Sequence, residues 1–206
     1  MRISEQEDFW KGEFGSEYIN RNSSEFINAS NINLFSEIFN NLNSRPKSIF
    51  ELGANIGNNL RAIKQICPEC KTIGVEINPK AFEILEKSNY CDISILDTIF
   101  NIDESKFKAE ITLSKGVLIH INPDYLPKVY EKLYKCSNKY ILIIEYYNPS
   151  PVEVNYRGHT NKLFKRDFAG EIMAKYKNLS LIKYGFKYKN DSLFPQDDLT
   201  WFLLSK

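Results

Sequence analysis

Cysteine is scarce in this sequence, four in 206 residues, and histidine scarcer, with two. The cysteines lie mostly in apolar segments, where a reduced thiol serves as a small hydrophobe, so we expect no disulfide framework. Cys67-Pro68-Glu69-Cys70 spells C-x-x-C, but no second ligand pair follows at zinc spacing, and the motif closes a helix rather than opening one as a redox pair does. No metal is expected. An excess of charge of either sign is also missing: 27 basic residues face 26 acidic ones, which removes any broad electrostatic reason to bind nucleic acid or an anionic membrane. The N-terminus, Met1-Arg2-Ile3-Ser4-Glu5-Gln6-Glu7-Asp8, has neither the apolar core of a secretory signal nor a run that spans a bilayer, so we expect a cytoplasmic protein. Internal repeats, low-complexity segments and an interdomain linker are lacking too. The length fits one domain, with residues 1–45 as a helical cap or lid and 46–206 as the core.

What is present is organised around Ser48-Ile49-Phe50-Glu51-Leu52-Gly53-Ala54-Asn55-Ile56-Gly57. An apolar run suited to a buried strand ends in an acidic residue and enters a turn with glycines at its first and fifth positions. Leu60, Ile63 and Cys67 then recur at helical spacing, so the turn joins a strand to a helix. Glycine permits a tight bend and the close approach of a ligand, and the helix start presents unpaired N–H groups.

The pattern then repeats. Strands are expected over 71–76, 92–97, 110–114 and 140–145, with helices opened by Pro79 and by Asn122-Pro123 between them. Upstream, residues 31–43 carry a one-faced helical pattern, and the aromatic segment 8–22 is either a cap over the core's edge or a lid whose Tyr18 and Arg21 reach a ligand. Downstream, a long loop is expected over 146–163, a helix over 166–176, and then two strands, 179–189 and 199–204, with no helix between them. Strands alternating with helices predict an α/β, Rossmann-like three-layer sandwich: a mostly parallel seven-stranded sheet with an antiparallel C-terminal strand.

The ligand is narrowed by what the glycine turn does not have. A dinucleotide turn wants G-x-G-x-x-G, yet Asn55 and Asn58 occupy the second and third glycine places, and no Gly-Lys-Ser or Gly-Lys-Thr of a P-loop occurs. Glu76, ending the second strand, retains the carboxylate that accepts hydrogen bonds from ribose hydroxyls. An adenosine without a pyrophosphate is what these features fit.

The strings Glu51-Leu52-Gly53-Ala54-Asn55-Ile56-Gly57, Gly74-Val75-Glu76-Ile77-Asn78 and Ser114-Lys115-Gly116-Val117-Leu118-Ile119-His120-Ile121, with the terminal pair of strands, resemble class I S-adenosylmethionine-dependent methyltransferases. More narrowly, Phe9-Trp10-Lys11-Gly12-Glu13-Phe14-Gly15, Glu145-Tyr146-Tyr147-Asn148-Pro149-Ser150-Pro151-Val152-Glu153-Val154, Tyr156-Arg157-Gly158-His159 and residues 194–204 resemble the small methylases associated with pseudaminic acid biosynthesis. The resemblance implies S-adenosylmethionine as cofactor, with the turn of Gly53, Ala54, Asn55 and Gly57 under its methionine part, Glu76 and Ile77 at the ribose, and Asp97 by the adenine. Class members often have glycine where Asn55 stands. Each residue keeps a quieter alternative. Glu51 either contacts the cofactor's amino group or bonds nearby backbone N–H groups, Glu76 and Asp97 are ligand contacts or caps, and Lys115 is a site residue or a surface charge.

Methyl transfer to a hydroxyl needs alignment and removal of a proton. Of the two histidines, His120 lies just past the fourth strand, on the edge where parallel-sheet ligands bind, and its ordinary pKa suits proton transfer near neutrality, so it is the candidate base or substrate anchor. His159, Tyr146, Tyr147, Asn148, Tyr156 and Arg157 sit in the expected loop as candidate acceptor contacts, Arg157 offering a fork for a carboxylate. The reading is a methyltransferase acting on an oxygen of a small polar glycan precursor or sugar-linked group of the pseudaminic acid type. An NAD-dependent sugar oxidoreductase or a non-catalytic cofactor-binding scaffold are its alternatives.

Overall fold

The computed structural model describes residues 4–21 and 25–206, Arg21 in its backbone alone. Five strands run parallel: β1 (Ser48–Leu52), β2 (Lys71–Glu76), β3 (Ile93–Leu96), β4 (Ala109–Lys115) and β5 (Ser137–Glu145). β6 (Val152–Tyr156) and β7 (His159–Lys165) leave the sheet and pair with each other. β8 (Ser180–Lys187) and β9 (Leu199–Ser205) return to it, and β9 is antiparallel to both of its neighbours, β5 and β8. The order across the seven strands is β3-β2-β1-β4-β5-β9-β8, so the expected sheet, with its antiparallel last strand, is the one observed.

Seven α-helices are described: α1 (Glu5–Lys11), α2 (Glu13–Tyr18), α3 (Glu25–Phe39), α4 (Asn58–Ile66), α5 (Pro79–Glu86), α6 (Leu126–Cys136) and α7 (Phe168–Lys175). Strand alternation divides the core between two layers. Phe50, Leu52, Ile141 and Ile143 pack with residues of α6 and α7, while Ile49, Leu142 and Ile144 pack with Leu34 and Phe35 of α3, Leu60 of α4 and Leu85 of α5. The apolar run of β5 is thus buried on both sides. Each such side chain taken fully out of water is worth about 1.5–3 kcal/mol, which holds the layers together. Among the described residues, no helix is long and apolar enough to cross a membrane.

Several boundaries differ from expectation. The stretch 146–163, expected as a loop, contains most of the β6–β7 hairpin, whose tip is Arg157-Gly158, both at positive φ (54° and 85°). Those angles define a two-residue turn whose twist matches paired strands, but Arg at its first position replaces the asparagine or glycine that signals such a turn. The helix expected from residue 31 begins at Glu25. Asn122 and Pro123 open a single 3-10 turn, from which α6 starts at Leu126. The aromatic N-terminal segment forms two short helices, α1 being closed by a capping box between Ser4 and Glu7.

Candidate active site

The carboxyl ends of β1 to β5 open into a cavity of about 530 Å³, roofed by α1, α2 and the β6–β7 hairpin. Its floor is the turn after β1. Gly53, Asn55 and Gly57 have φ of 79°, 49° and 85°, so three of five residues are left-handed. Asparagine is among the few side chains that adopt this conformation readily, which explains how Asn55 stands where a glycine is common. A Cβ on Gly53 would lie 2.6 Å from Val117 Cγ2, and one on Gly57 would lie 2.7 Å from Leu85 Cδ1 and Tyr90 Cε2, so both positions require glycine for space as well as conformation. The N–H groups of Gly53 and Ala54 donate to the Val75 carbonyl at 3.0 and 2.9 Å, tying the turn to β2.

Glu76, at the end of β2, lines the cavity while 7% exposed. Its Oε2 accepts from Asn55 N and its Oε1 from Asn78 N, both at 2.7 Å. Burial raises its pKa against those bonds. Ile77 and Asp97 lie on the same wall with Ile99 and Phe100. Asp97 Oδ1 accepts from Thr98 N at 2.7 Å and Asn101 Nδ2 at 2.9 Å, so it is a turn cap that also faces the cavity.

At the other end is a polar group made by three layers of the fold. Lys115 Nζ donates to Asn31 Oδ1 at 3.1 Å, and Gln196 Nε2 donates to the same oxygen at 3.0 Å. Burial lowers the lysine's pKa, opposed by the charges of Glu51, Asp197 and Glu145. Glu51 is fully buried and does not line the cavity; its Oε1 accepts from the cavity-lining Asn59 Nδ2 at 2.5 Å and its Oε2 has no partner among the described residues. Loss of water pushes this carboxyl up to about 8. Gln6 Oε1, Trp10 Nε1, Ser30 Oγ and Asn55 Oδ1 belong to cavity-lining residues and are likewise buried without partners.

His120 ends a 3-10 turn, Leu118–His120, pinned by Glu145: one carboxylate oxygen accepts from Val117 N and Leu118 N at 3.0 Å and from Ser114 Oγ at 2.9 Å. The imidazole lines the cavity, 8% exposed, in a cluster with Trp10 (ring centroids 4.5 Å) and Tyr156 (4.9 Å), which lie 6.4 Å from each other. Nδ1 lies 2.6 Å from the Lys162 carbonyl, an acceptor, so Nδ1 carries the proton and Nε2 holds the free lone pair. Burial pushes the ring down to about 4, so the ordinary pKa that recommended it from sequence does not survive folding.

Tyr18, Tyr146, Tyr156 and Arg157 also line the cavity. The guanidinium of Arg157 lies 5.8 Å from the Tyr156 ring centroid. Three expected acceptor contacts do not reach the wall. Tyr147 packs on Phe202, ring centroids 5.9 Å apart, and is 42% exposed. Asn148 donates to the Ser150 carbonyl at 2.5 Å. His159 is exposed and packs on Phe9 and Phe14, rings that are not part of the wall. Gly57 shapes the turn from outside the cavity, and the Arg21 side chain lies outside the described residues. Sequence reasoning missed Gln6, Trp10, Ser30, Asn31 and Gln196. For Trp10 the aromatic density of its segment was a signal, whereas the others come from helix and loop positions with no local signature.

No protein-family model matches the chain, and no curated protein matches it in sequence. Solved structures match its fold. A Burkholderia thailandensis 1,6-didemethyltoxoflavin-N1-methyltransferase, bound to its substrate and S-adenosylhomocysteine, superposes with a TM-score of 0.75 at 11% identity, over 100% of this chain and 91% of its own. Magnesium protoporphyrin IX methyltransferase from Synechocystis PCC 6803, with S-adenosylmethionine bound, gives 0.71 at 10% identity over 100% of both chains. A plantazolicin methyltransferase in complex with S-adenosylhomocysteine gives 0.67 at 15% identity over 98% and 93%. The chain therefore has the Rossmann-like fold of class I S-adenosylmethionine-dependent methyltransferases.

Proposed function

We propose that the chain is an S-adenosylmethionine-dependent methyltransferase that methylates an oxygen of a small polar glycan precursor, or of a sugar-linked group, in surface-glycan biosynthesis of the pseudaminic acid type. The observation that carries the first half is Glu76 beside the left-handed turn, on the carboxyl edge of the sheet, in a fold whose solved neighbours hold S-adenosylmethionine or its product. The cavity's volume is in the range of small-molecule sites.

The lining fits that cofactor by its chemistry. Glu76 accepts one N–H on each carboxylate oxygen, leaving acceptor capacity on both for a ribose diol. Ile77, Ile99 and Phe100 offer apolar surface for adenine, with Asp97 as an acceptor beside it. Gly53 lets the backbone approach the methionine part, Lys115 presents a cation for its carboxylate, and Glu51, held protonated by burial near neutral pH, would ionise when the cofactor's ammonium comes beside it. Tyr18 covers this end from α2.

When bound, the cofactor supplies an electrophilic methyl group on a sulfonium, which an oxygen nucleophile displaces in line. The chain's part is to hold the acceptor and take its proton. His120 is neutral at pH 7, and its Nε2 lone pair is the basic atom, with Nδ1–H fixed by the Lys162 carbonyl. Trp10 and Tyr156, which cluster with the imidazole, keep water from it. Arg157, which makes no ion pair among the described residues, supplies a planar fork for an anionic group on the acceptor. The glycan half of the reading is supported by the sequence strings at 9–15, 145–159 and 194–204, since the solved neighbours act on acceptors of other kinds.

Transfer of a labelled methyl group into fractionated sugar nucleotides and glycans of the producing cell tests the proposal. Label in a low-mass sugar-linked species is the expected result. Label confined to protein, nucleic acid or tetrapyrrole fractions overturns the acceptor class, and cofactor binding without label anywhere favours a scaffold.

A further inference from the structure

We propose that Asn78 is a positioning residue that docks the acceptor-side wall of the site onto its cofactor edge. The inference rests on the methyltransferase reading for its functional meaning, but its structural basis is independent. Asn78 is 1% exposed and its three polar groups serve three different parts of the fold. The backbone N–H donates to Glu76 Oε1 at 2.7 Å. The side-chain oxygen accepts from Lys80 N and Ala81 N at 3.0 and 3.1 Å, capping α5. The side-chain nitrogen faces the carbonyls of Trp10, Lys11 and Gly12 at 3.1, 3.2 and 3.2 Å and the Ser16 hydroxyl at 3.3 Å, at the end of α1, where the last helical carbonyls are left over by the helix itself. One amide thus closes a neighbouring helix with its donor and opens its own with its acceptor.

The α1–α2 corner is built around that amide. A Cβ on Gly15 would lie 1.8 Å from the Trp10 carbonyl oxygen and 2.9 Å from Asn78 Nδ2, so only glycine lets the corner close on it. What the corner carries is the indole of Trp10, packed against His120 at 4.5 Å, with its Nε1–H buried and without a partner among the described residues. The front of α1 is held separately, by Gln6 Nε2 to the Asn161 carbonyl at 3.0 Å, by the Glu5–Lys162 ion pair and by the Thr98 hydroxyl donating to Glu7. Two hydrogens shared among three carbonyls and the Ser16 hydroxyl therefore link the wall beside the base to the residue next to the ribose carboxylate. In this arrangement the acceptor side is complete only while α1 is docked, whereas Glu76 and the glycine turn keep bonds of their own and feel the corner only through Tyr18 and the Glu7–Thr98 bond.

Asn78→Asp separates the two tasks. It keeps the oxygen that caps α5 and the N–H to Glu76, and replaces the donor with an oxygen facing three carbonyls. The readout is acrylamide quenching of Trp10, taken as the difference from a Trp10→Phe control because Trp201 is fully buried and contributes little. Expected is a rise of about threefold or more in the Trp10 quenching constant, with calorimetric affinity for S-adenosylhomocysteine lowered by less than about tenfold, since Tyr18 rides on the same corner while Glu76 and the glycine turn are untouched. Gly15→Ala, which strains the same junction from the α2 side, is expected to give the same pair of results and decides the matter if the Asp variant does not fold. Wild-type quenching in both variants overturns the proposal, as does a loss of S-adenosylhomocysteine affinity in Asn78→Asp of about tenfold or more. A wild-type protein that binds no S-adenosylhomocysteine defeats the functional reading instead, while the quenching comparison still decides what docks α1.

Discussion

Replacing Glu51 with glutamine tests the electrostatics of the site through stability. The carboxyl is fully buried, and loss of water pushes it from 4.5 up to about 8. A pKa raised in the fold means that the group's contribution is fully present below 4.5 and is lost as pH rises toward 8, because the unfolded chain then ionises while the folded chain resists. At about 1.4 kcal/mol per pH unit, the loss between pH 4.5 and pH 7 is about 3 kcal/mol. Glutamine keeps the Asn59 bond through its carbonyl and has no charge to lose, but its buried amide hydrogens lack acceptors, at roughly 1–3 kcal/mol. The two effects offset each other at any single pH, so the diagnostic quantity is the slope. For a chain of this size about 2–4 °C of Tm accompanies each kcal/mol, so the Tm of Glu51→Gln minus that of wild type should grow by about 3–5 °C per unit from pH 5 to pH 7 in differential scanning fluorimetry. Parallel Tm curves would refute the reasoning. With S-adenosylhomocysteine present the wild-type slope should flatten, because a ligand ammonium near Glu51 favours its ionised form.

Other predictions concern the remaining walls. His120→Ala should slow methyl transfer by about 10²–10⁴-fold while S-adenosylhomocysteine affinity stays near wild type, and unchanged turnover removes His120 from the base role. Since the imidazole titrates near 4 and acts unprotonated, the wild-type rate should be level across neutral pH and fall only as pH drops toward 4; a midpoint near the ordinary histidine value would contradict the burial seen here. Gly53→Ala places a methyl group 2.6 Å from Val117 Cγ2 at a φ of 79°, so calorimetry should show cofactor affinity lowered by about tenfold or more, for about 1–2 kcal/mol of backbone strain plus the clash. Arg157→Gly relieves a left-handed arginine, and it should leave Tm level or raised while acceptor KM increases; a fall in cofactor affinity instead would move Arg157 to the other end of the cavity.

Much of the fold was legible because its signals are local and periodic. The apolar runs at 48–52, 71–76 and 140–144, each followed by turn or cap residues, name parallel strands without reference to the rest of the chain. The β6–β7 hairpin was hidden for two reasons: Pro149 and Pro151 dominate the segment's character, and its turn puts Arg157 where asparagine or glycine would announce a reversal. At the site, Gly53, Asn55, Glu76, Asp97 and His120 were readable because each sits at the carboxyl end of a strand, where topology alone brings residues together. Tyr147 packs on Phe202 of β9 and Asn148 bonds the Ser150 carbonyl, contacts with no signature in the sequence around them. His159 was placed on the right hairpin, yet Phe9 and Phe14 cover the surface it meets. The contribution of α1 was the least legible, since the Asn78 contacts and the Glu5–Lys162 pair join residues more than sixty positions apart.

The central claim is that the cavity holds the adenosine and amino-acid parts of S-adenosylmethionine, and calorimetric titration with S-adenosylhomocysteine tests it most directly. The account predicts one molecule bound per chain. It also predicts affinity about tenfold or more weaker in Glu76→Gln, which removes one of two acceptor oxygens and the charge. Absence of binding by the wild-type chain to both S-adenosylhomocysteine and S-adenosylmethionine, or equal affinity in the Glu76 variant, would contradict it.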